Sequence, residues 1–168
     1  LASINIDDPN AQVMIDACSP GSTIIRCGNG EEAKASVRIE DESITGTQIA
    51  LNTPSGAFNA RVPIIGAFNA FNILQSVLLA QAVLTRAGVA QEDQHLGIEQ
   101  TLPTLTLPMG RFEHCASEDD DLMVMVDFAH TDDALSSALS GVRRVLPEGA
   151  QLWCVFGCGG NRDQTKRP

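Results

Sequence analysis

The spacing of apolar residues changes at one point in the sequence, near Gly66. Over residues 35–62 apolar and polar residues alternate, which is typical of strands with one buried face. Over residues 69–86 apolar residues recur every three or four positions, which is typical of an amphipathic helix. The chain is therefore expected to contain an antiparallel meander with a long helix packed on its buried face.

Turn and stop signals divide this region further. Turns are predicted at Asp41-Glu42 and at Pro54-Ser55-Gly56. The long helix is expected to end near Gly88, which suits the left-handed position after a helix. The strand residues predicted to face the core are Val37, Ile39, Ile49, Leu51, Phe58, Ala60 and Val62.

The flanking regions predict an α/β fold. Residues 2–6 and 22–27 are predicted strands joined by a short helix. After a domain boundary predicted at residue 108, segments 111–116, 122–127 and 151–156 are predicted strands. A helix capped by Thr131 lies before the last of these. This order is typical of a strand–helix–strand unit with a parallel sheet, and the predicted domains are residues 1–108 and 109–168.

Charge and composition exclude several classes of partner. The net charge is -10, which argues against binding to nucleic acid because that depends on clustered lysine and arginine. No run of about 18 apolar residues predicts a membrane span, and no signal peptide is predicted. The five cysteines have irregular spacing, which favours reduced thiols over disulfides or zinc. Neither end resembles a natural terminus, so a fragment is expected.

A glycine-rich phosphate loop ending in lysine is absent from this sequence. The chain has two lysines, Lys34 and Lys166, and neither follows a glycine. This chain by itself therefore cannot bind a nucleotide through such a loop.

Two segments that follow predicted strands carry polar side chains. Asp127 and His130 lie at the carboxyl end of a strand, where ligands bind in open parallel sheets, but they also suit a helix cap. The segment 157–163 combines glycines with Arg162, and Arg167 lies close behind it, so it can bind an anion or form a tight turn. The pattern alone leaves both alternatives open.

Four further polar positions have the same ambiguity. Asn69 and Asn72 lie three residues apart at the start of the long helix, where they can contact an adenine edge or act as a cap. Arg111 can reach a phosphate or remain a surface arginine. The segment Asn5–Asp8 can line a polar site or form an Asx-turn.

Taken together, five stretches resemble the Mur ligase family. They are residues 4–8, 66–72, 109–113, 126–135 and 153–168, and they occur in the order in which the family has them. The resemblance is to the member that forms the muramoyl tripeptide. Three positions depart from the family pattern: Phe128, Asp132 and Asn161 stand where the family has tyrosine, proline and aspartate.

The resemblance implies a fold, a reaction and ligands. It implies the C-terminal part of an ATP-binding central domain followed by the start of a Rossmann-like C-terminal domain. It implies that ATP activates a UDP-linked muramoyl dipeptide as an acyl phosphate, which the amine of a diamino acid attacks. Magnesium ligands are expected outside this chain, the partners are small molecules without nucleic acid or membrane, and the location is cytoplasmic.

The resemblance also implies roles for individual residues. It assigns Asn69 and Asn72 to the adenine, Asp127 to the ribose, and Arg111 and His130 to the phosphates. Arg167 is implied to bind the carboxylate of the amino acid. The alternatives are a related ligase, such as cyanophycin or folylpolyglutamate synthetase, and a non-catalytic nucleotide-binding module. Diaminopimelate and lysine both remain open as the added residue.

Overall fold

The protein divides into two compact units, Leu1–Leu105 and Thr106–Pro168. The structure is a computed structural model that describes residues 1–115 and 122–157. The assignment of residues 1–108 and 109–168 to two domains of the family remains a prediction. Residues 116–121, most of the glycine-containing segment 157–163 with Asn161 and Arg162, and Arg167 lie outside the described residues.

The first unit begins with a strand, a helix and a second strand. β1 (Ala2–Asn5) and β2 (Ile24–Cys27) pair in parallel, and α1 (Ala11–Asp16) connects them. Parallel neighbours need a crossover connection, and a short helix provides it here. This confirms the predicted order of elements in residues 2–27.

A three-stranded antiparallel meander follows, in the spatial order β3-β4-β5. Its strands are β3 (Ser36–Ser43), β4 (Gly46–Thr53) and β5 (Gly56–Val62). The residues predicted to share the core face stand opposite one another in the observed register, as in the rows Val37–Leu51–Phe58 and Ile39–Ile49–Ala60. The alternating pattern therefore predicted this face correctly.

One of the two predicted turns in the meander is wrong. Asp41 and Glu42 lie inside β3, and the chain reverses after Ser43, which pairs with Gly46. The pairing register shifts between Ile39 and Asp41, so β3 carries a bulge and continues past the predicted turn. The other turn, between Thr53 and Gly56, is confirmed.

The long helix α2 (Ala67–Arg86) covers the meander and contacts β1, β3 and β4. Its side chains Leu74 and Leu78 are 0% and 2% exposed. Full burial of a leucine contributes about 1.5–3 kcal/mol. Although α2 is long and apolar enough to cross a membrane, the core helix of a soluble protein passes the same test.

The end of α2 is defined by Gly88, as predicted. Gly88 has a φ of 78°, and its N–H donates to the carbonyl of Thr85 at 3.0 Å. The N–H of Val89 donates to the carbonyl of Leu84 at 3.0 Å. This pair of bonds is a Schellman motif, which satisfies carbonyls that the helix leaves free.

A second helix, α3 (Gln91–Thr101), was not predicted from the sequence. It has no apolar stripe in its sequence, and its two buried residues are Gln94 and Ile98. Tertiary contacts hold it instead: His95 stacks on Phe58 with 4.4 Å between ring centroids. The Gln94 amide also donates to the carbonyl of Val89 at 2.8 Å. A 3₁₀ turn (Leu102–Thr104) follows α3.

The second unit contains two short strands and one helix among its described residues. β6 (Glu113–His114) and β7 (Met125–Val126) pair antiparallel, so both are shorter than predicted. α4 (Asp132–Val145) begins at Thr131, whose hydroxyl accepts the N–H of Ala134 at 3.2 Å. This confirms the predicted cap.

The strand predicted at residues 151–156 is not formed. Residues 151–157 have no regular secondary structure, and Trp153 and Val155 are 83% and 100% exposed. A strand requires hydrogen bonds to a neighbouring strand, and no described strand pairs with this segment. The parallel strand–helix–strand unit predicted for this region is therefore absent from the described residues.

The cysteines differ in exposure, which predicts a difference in reactivity. Burial raises the pKa of the Cys27 thiol despite a hydrogen bond with Ser3, whereas Cys115 and Cys154 are exposed. Since the thiolate is the reactive form, Cys27 should react far more slowly with a thiol reagent at neutral pH. Labelling followed by peptide mass mapping measures this, and denaturant should abolish the difference. Equal rates in the folded protein would contradict the burial of Cys27.

Candidate functional site

Asp127 follows β7 directly and holds the backbone around it. One carboxylate oxygen accepts the N–H of Phe112 at 3.0 Å, and the other accepts the N–H of Ala129 at 2.8 Å. Hydrogen bonds to a charged acceptor are stronger than neutral ones. Asp127 therefore braces the segment after β7 against the segment before β6, in agreement with the structural alternative left open by the sequence.

Phe112, one of the partners of Asp127, has an unusual backbone conformation. Its φ is 48°, and no other non-glycine residue in the described part of the chain has a positive φ. This left-handed conformation costs a residue with a side chain about 1–2 kcal/mol. The Phe112 side chain is buried, and its ring lies next to Gly141 of α4. Packing and the Asp127 bond together hold this conformation.

Arg111 and His130 lie on the ring of one aromatic residue, Phe128. The Arg111 guanidinium carbon is 5.4 Å from the ring centroid, and the His130 ring meets Phe128 edge-on at 5.1 Å. His130 Nδ1 also lies 3.0 Å from the carbonyl oxygen of Phe128. The exposed side of this cluster presents two nitrogen-rich groups. Such groups bind phosphate or carboxylate oxygens well.

The loop before α2 is held by side chains from three directions. Glu42 accepts the N–H of Gly66 at 2.6 Å, and the hydroxyl of Thr47 donates to the carbonyl of Ile64 at 2.7 Å. The Asn69 amide donates to the carbonyl of Ile65 at 2.8 Å. The start of α2 is therefore fixed by the meander and by the helix itself.

The two asparagines of α2 differ in accessibility. Asn69 is 6% exposed and its amide nitrogen already donates to the backbone, whereas Asn72 is exposed. Their spacing of three residues suggested equivalent positions on one face. The side chain of Asn72 is the one available to a ligand.

The acidic segment after β1 forms turns, as one of the two alternatives predicted. Asn5 accepts the N–H of Asp7 at 3.0 Å, and Asp8 accepts the N–H of Asn10 at 2.8 Å, so both form Asx-turns. Asp7 reaches further, because both its oxygens accept the N–H of Asn29 at 3.1 Å. A Cβ on Gly28 would collide with the Asp7 carboxylate. The Asp7 carboxylate therefore holds the loop after β2, while Asp8 closes the turn before α1.

The structure describes five of the six predicted site residues, and these form two groups. Arg111, Asp127 and His130 come together around Phe128 in the second unit, while Asn69 and Asn72 belong to the first. Arg167 lies outside the described residues. Sequence reasoning missed Glu42, Thr47 and Phe112, since each acts through contacts with residues distant in the sequence.

A cleft of about 520 Å³ in the first unit contains none of the predicted site residues. It is lined by polar and small residues of the loop after β2 and of strands β3 and β4, including Asn29, Lys34, Arg38 and Asn52. The Arg38 guanidinium is paired with Glu40 at 2.7 Å.

Comparison with known proteins identifies the family. A family model described as "Mur ligase, glutamate ligase domain" matches residues 110–168. The UDP-N-acetylmuramoyl-L-alanyl-D-glutamate--2,6-diaminopimelate ligase of Trichormus variabilis is 36% identical over an alignment of 176 positions, which covers 99% of this chain and 32% of that protein. Residues 110–168 belong to the Mur ligase family. The ligase of the same name from Neisseria meningitidis serogroup B is 33% identical over 99% of this chain and 33% of its own length.

Solved structures of two ligases share the fold. A UDP-N-acetylmuramoyl-L-alanyl-D-glutamate--2,6-diaminopimelate ligase structure matches 96% of this chain and 32% of its own, with a TM-score of 0.66 and 31% identity. The folylpolyglutamate synthetase of Lactobacillus casei matches 87% of this chain and 35% of its own, with a TM-score of 0.68 and 17% identity, which shows the fold alone. The chain spans about a third of the length of the curated Mur ligases that it matches.

Proposed function

We propose that the protein containing this chain is an ATP-dependent ligase of peptidoglycan synthesis that adds a diamino acid to UDP-N-acetylmuramoyl-L-alanyl-D-glutamate. The observation that carries this proposal is the 36% identity, over 99% of the chain, to a ligase named for that reaction. Diaminopimelate is the proposed diamino acid, because the curated relatives compared above are named for it.

The proposed reaction has two steps. The terminal phosphoryl group of ATP is transferred to the free carboxylate of the dipeptide, which forms an acyl phosphate and releases ADP. The amine of the diamino acid then attacks the acyl carbon, an amide bond forms, and phosphate and a proton leave. Phosphorylation gives the carboxylate a good leaving group, phosphate, in place of a poor one, hydroxide, at the expense of ATP.

The described residues support a role at the nucleotide. Arg111 and His130 lie on one aromatic ring, where they can bind phosphate oxygens of ATP. Asn72 is exposed at the start of α2 and has both a donor and an acceptor for the adenine edge. Asp127 is assigned to the ribose. Each of its carboxylate oxygens accepts one backbone N–H and keeps a further lone pair that can accept from a ribose hydroxyl.

Asn69 and Arg167 are the remaining residues for which a role is proposed. Asn69 is assigned to the adenine region, although it is 6% exposed and its amide nitrogen donates to the carbonyl of Ile65. Arg167 is assigned to the carboxylate of the amino acid. These two roles rest on the family motifs.

Magnesium and cellular location are further parts of the proposal. Within residues 1–115 and 122–157 no group of three or more histidine, cysteine, aspartate or glutamate residues could hold a metal ion. The described residues therefore do not fit a magnesium site. The substrates are small molecules, and a cytoplasmic location is proposed because ATP and UDP-linked precursors occur there.

The ligase assay separates this function from its alternatives. The purified protein that contains this chain is incubated with ATP, magnesium, UDP-N-acetylmuramoyl-L-alanyl-D-glutamate and either diaminopimelate or lysine. We expect ADP, phosphate and a product heavier by one diaminopimelate residue. A parallel reaction contains glutamate and a folate in place of the diamino acid and the muramoyl dipeptide, and product there would favour a folylpolyglutamate synthetase. Nucleotide binding without product in either reaction would favour a non-catalytic module.

The 168-residue chain by itself serves as a control in the same assay. It contains no glycine-rich phosphate loop ending in lysine, so we expect it to form no amide. Amide formation by this chain alone would contradict that expectation.

A further inference from the structure

A bulge in β3 changes the direction in which Glu42 points. Before the bulge, Ile39 stands opposite Ile49 on the core face. With regular pairing the residue opposite Thr47 would be Asp41, but the shift of one residue places Glu42 there. Because side chains alternate between the two faces of a strand, the bulge turns a carboxylate toward the buried side of the meander.

The partner of Glu42 is the backbone at the start of α2. Its carboxylate accepts the N–H of Gly66 at 2.6 Å, and the hydroxyl of Thr47 lies 3.5 Å from the same oxygen. Gly66 is the N-cap of α2 and has a φ of 98°. Because Gly66 has no side chain, it cannot cap the helix itself, and the start of α2 depends on bonds from other residues.

This bond fixes the first turn of the helix that carries Asn72. The carbonyls of Ile64 and Ile65 are held by Thr47 and Asn69, and the N–H of Gly66 is held by Glu42. Loss of the Glu42 bond removes the acceptor of the Gly66 N–H, and the left-handed glycine keeps the two bonds that its carbonyl accepts from the N–H groups of Asn69 and Ala70. The direction of the Asn72 side chain then varies, since it lies less than two turns beyond the glycine.

The charge of Glu42 also affects what can bind at this end of α2. A carboxylate near a helix N-terminus compensates the positive end of the helix dipole. A phosphate at the same place would be repelled by Glu42, whereas a neutral base would not. The surroundings of Asn72 therefore favour the base of a nucleotide over its phosphates.

We infer that Glu42 is a positioning residue that orients Asn72 for the nucleotide base through the N–H of Gly66. This inference rests on the proposed function, because it requires that Asn72 contact the nucleotide. Glu42 itself has no contact with the substrate in this role. It acts through the start of α2.

Three substitutions of Glu42 separate geometry from charge. Glu42→Gln keeps the length and an acceptor oxygen, Glu42→Asp keeps the charge but shortens the side chain, and Glu42→Ala removes both. Glu40→Ala is the matched control, since Glu40 lies on the same strand and bonds to the exposed Arg38 side chain. Asn72→Ala is the benchmark for the ligand contact. All are made in the protein that contains this chain.

The readouts are the KM for ATP, kcat, the KM for the diamino acid, and hydrogen exchange of the Gly66 amide. For Glu42→Ala and Glu42→Asp we expect a KM for ATP raised about tenfold, with kcat and the other KM changed less than threefold. Glu42→Gln should restore the KM to within about threefold. Gly66 exchange should be faster in the first two variants and protected in the third. Glu40→Ala should change none of these values.

The outcomes distinguish the inference from the function on which it rests. If Asn72→Ala raises the KM for ATP while Glu42→Ala does not, the positioning role is wrong and the nucleotide site stands. If Asn72→Ala leaves the KM for ATP unchanged, the proposed contact is wrong and the role of Glu42 falls with it. If Glu42→Gln behaves like Glu42→Ala, orientation by the hydrogen bond is also wrong.

Discussion

Replacement of Asp127 by alanine is expected to destabilise the second unit by about 2–3 kcal/mol. The change leaves the N–H groups of Phe112 and Ala129 without their carboxylate acceptor. A hydrogen bond to a charged group contributes about 1.5–3 kcal/mol, and partial exposure to solvent reduces the sum of the two. The strained φ of Phe112 adds to the effect, because Asp127 helps to hold it.

Hydrogen exchange of α4 and of the residues before β6 measures this loss. Asp133→Ala is the control, since Asp133 is exposed in the first turn of α4 and lies close in sequence to Asp127. Asp127→Asn should fall between the wild type and alanine, because one carbonyl oxygen remains as an acceptor. Unchanged exchange in Asp127→Ala, together with a raised KM for ATP, would show that Asp127 serves the nucleotide and does not brace the backbone.

The role at the ribose that the resemblance implies for Asp127 would by itself predict that Asp127→Ala weakens ATP use with little loss of stability. The two backbone bonds change that expectation for stability and leave it in place for ATP. A rise in the KM for ATP that exceeds the rise caused by equal destabilisation elsewhere in the protein would support both roles.

Replacement of Gly46 by alanine is expected to cost about 3 kcal/mol or more. Gly46 has a φ of 141°, which residues with a side chain rarely adopt, and its new Cβ would collide with the carbonyl oxygen of Val62. Backbone strain of this kind costs about 1–3 kcal/mol, and the collision comes in addition. Since Val62 ends β5, the displacement would also reach the loop before α2.

Gly88→Ala is the matched control for Gly46→Ala. Gly88 also has a positive φ, 78°, but a Cβ there would meet no atom within 4 Å. Its expected cost is about 1 kcal/mol, from the left-handed backbone alone. Chemical denaturation monitored by circular dichroism measures both variants. Equal destabilisation would show that the close approach of Gly46 to Val62 contributes nothing.

The structure changes the interpretation of the predicted site residues differently in the two units. In the second unit, the antiparallel pairing of β6 with β7 accompanies the contact of Arg111 with Phe128, which is adjacent in sequence to Asp127 and contacts His130. In the first unit the structure separates two residues that the sequence treated alike, because Asn69 is buried and Asn72 is exposed. Equal spacing on a helix does not make two side chains equally accessible.

The sequence by itself determined the parts of this protein that depend on local chemistry. The alternation over residues 35–62 predicted which side chains face the core, Gly88 predicted the end of α2, and Thr131 predicted the start of α4. These features need only the preferences of a few neighbouring residues, such as the fit of glycine to a left-handed backbone or of a threonine hydroxyl to a free N–H.

Contacts between distant residues were decided by the tertiary structure alone. A bulge of one residue turned Glu42 toward Gly66, 24 positions further along the chain, and the fold brought Asp127 to the N–H of Phe112, 15 positions before it. α3 has no apolar stripe and is held by contacts such as that of His95 with Phe58. Strand register and burial depend on the packing of the whole unit, so residue preferences along the chain do not determine them.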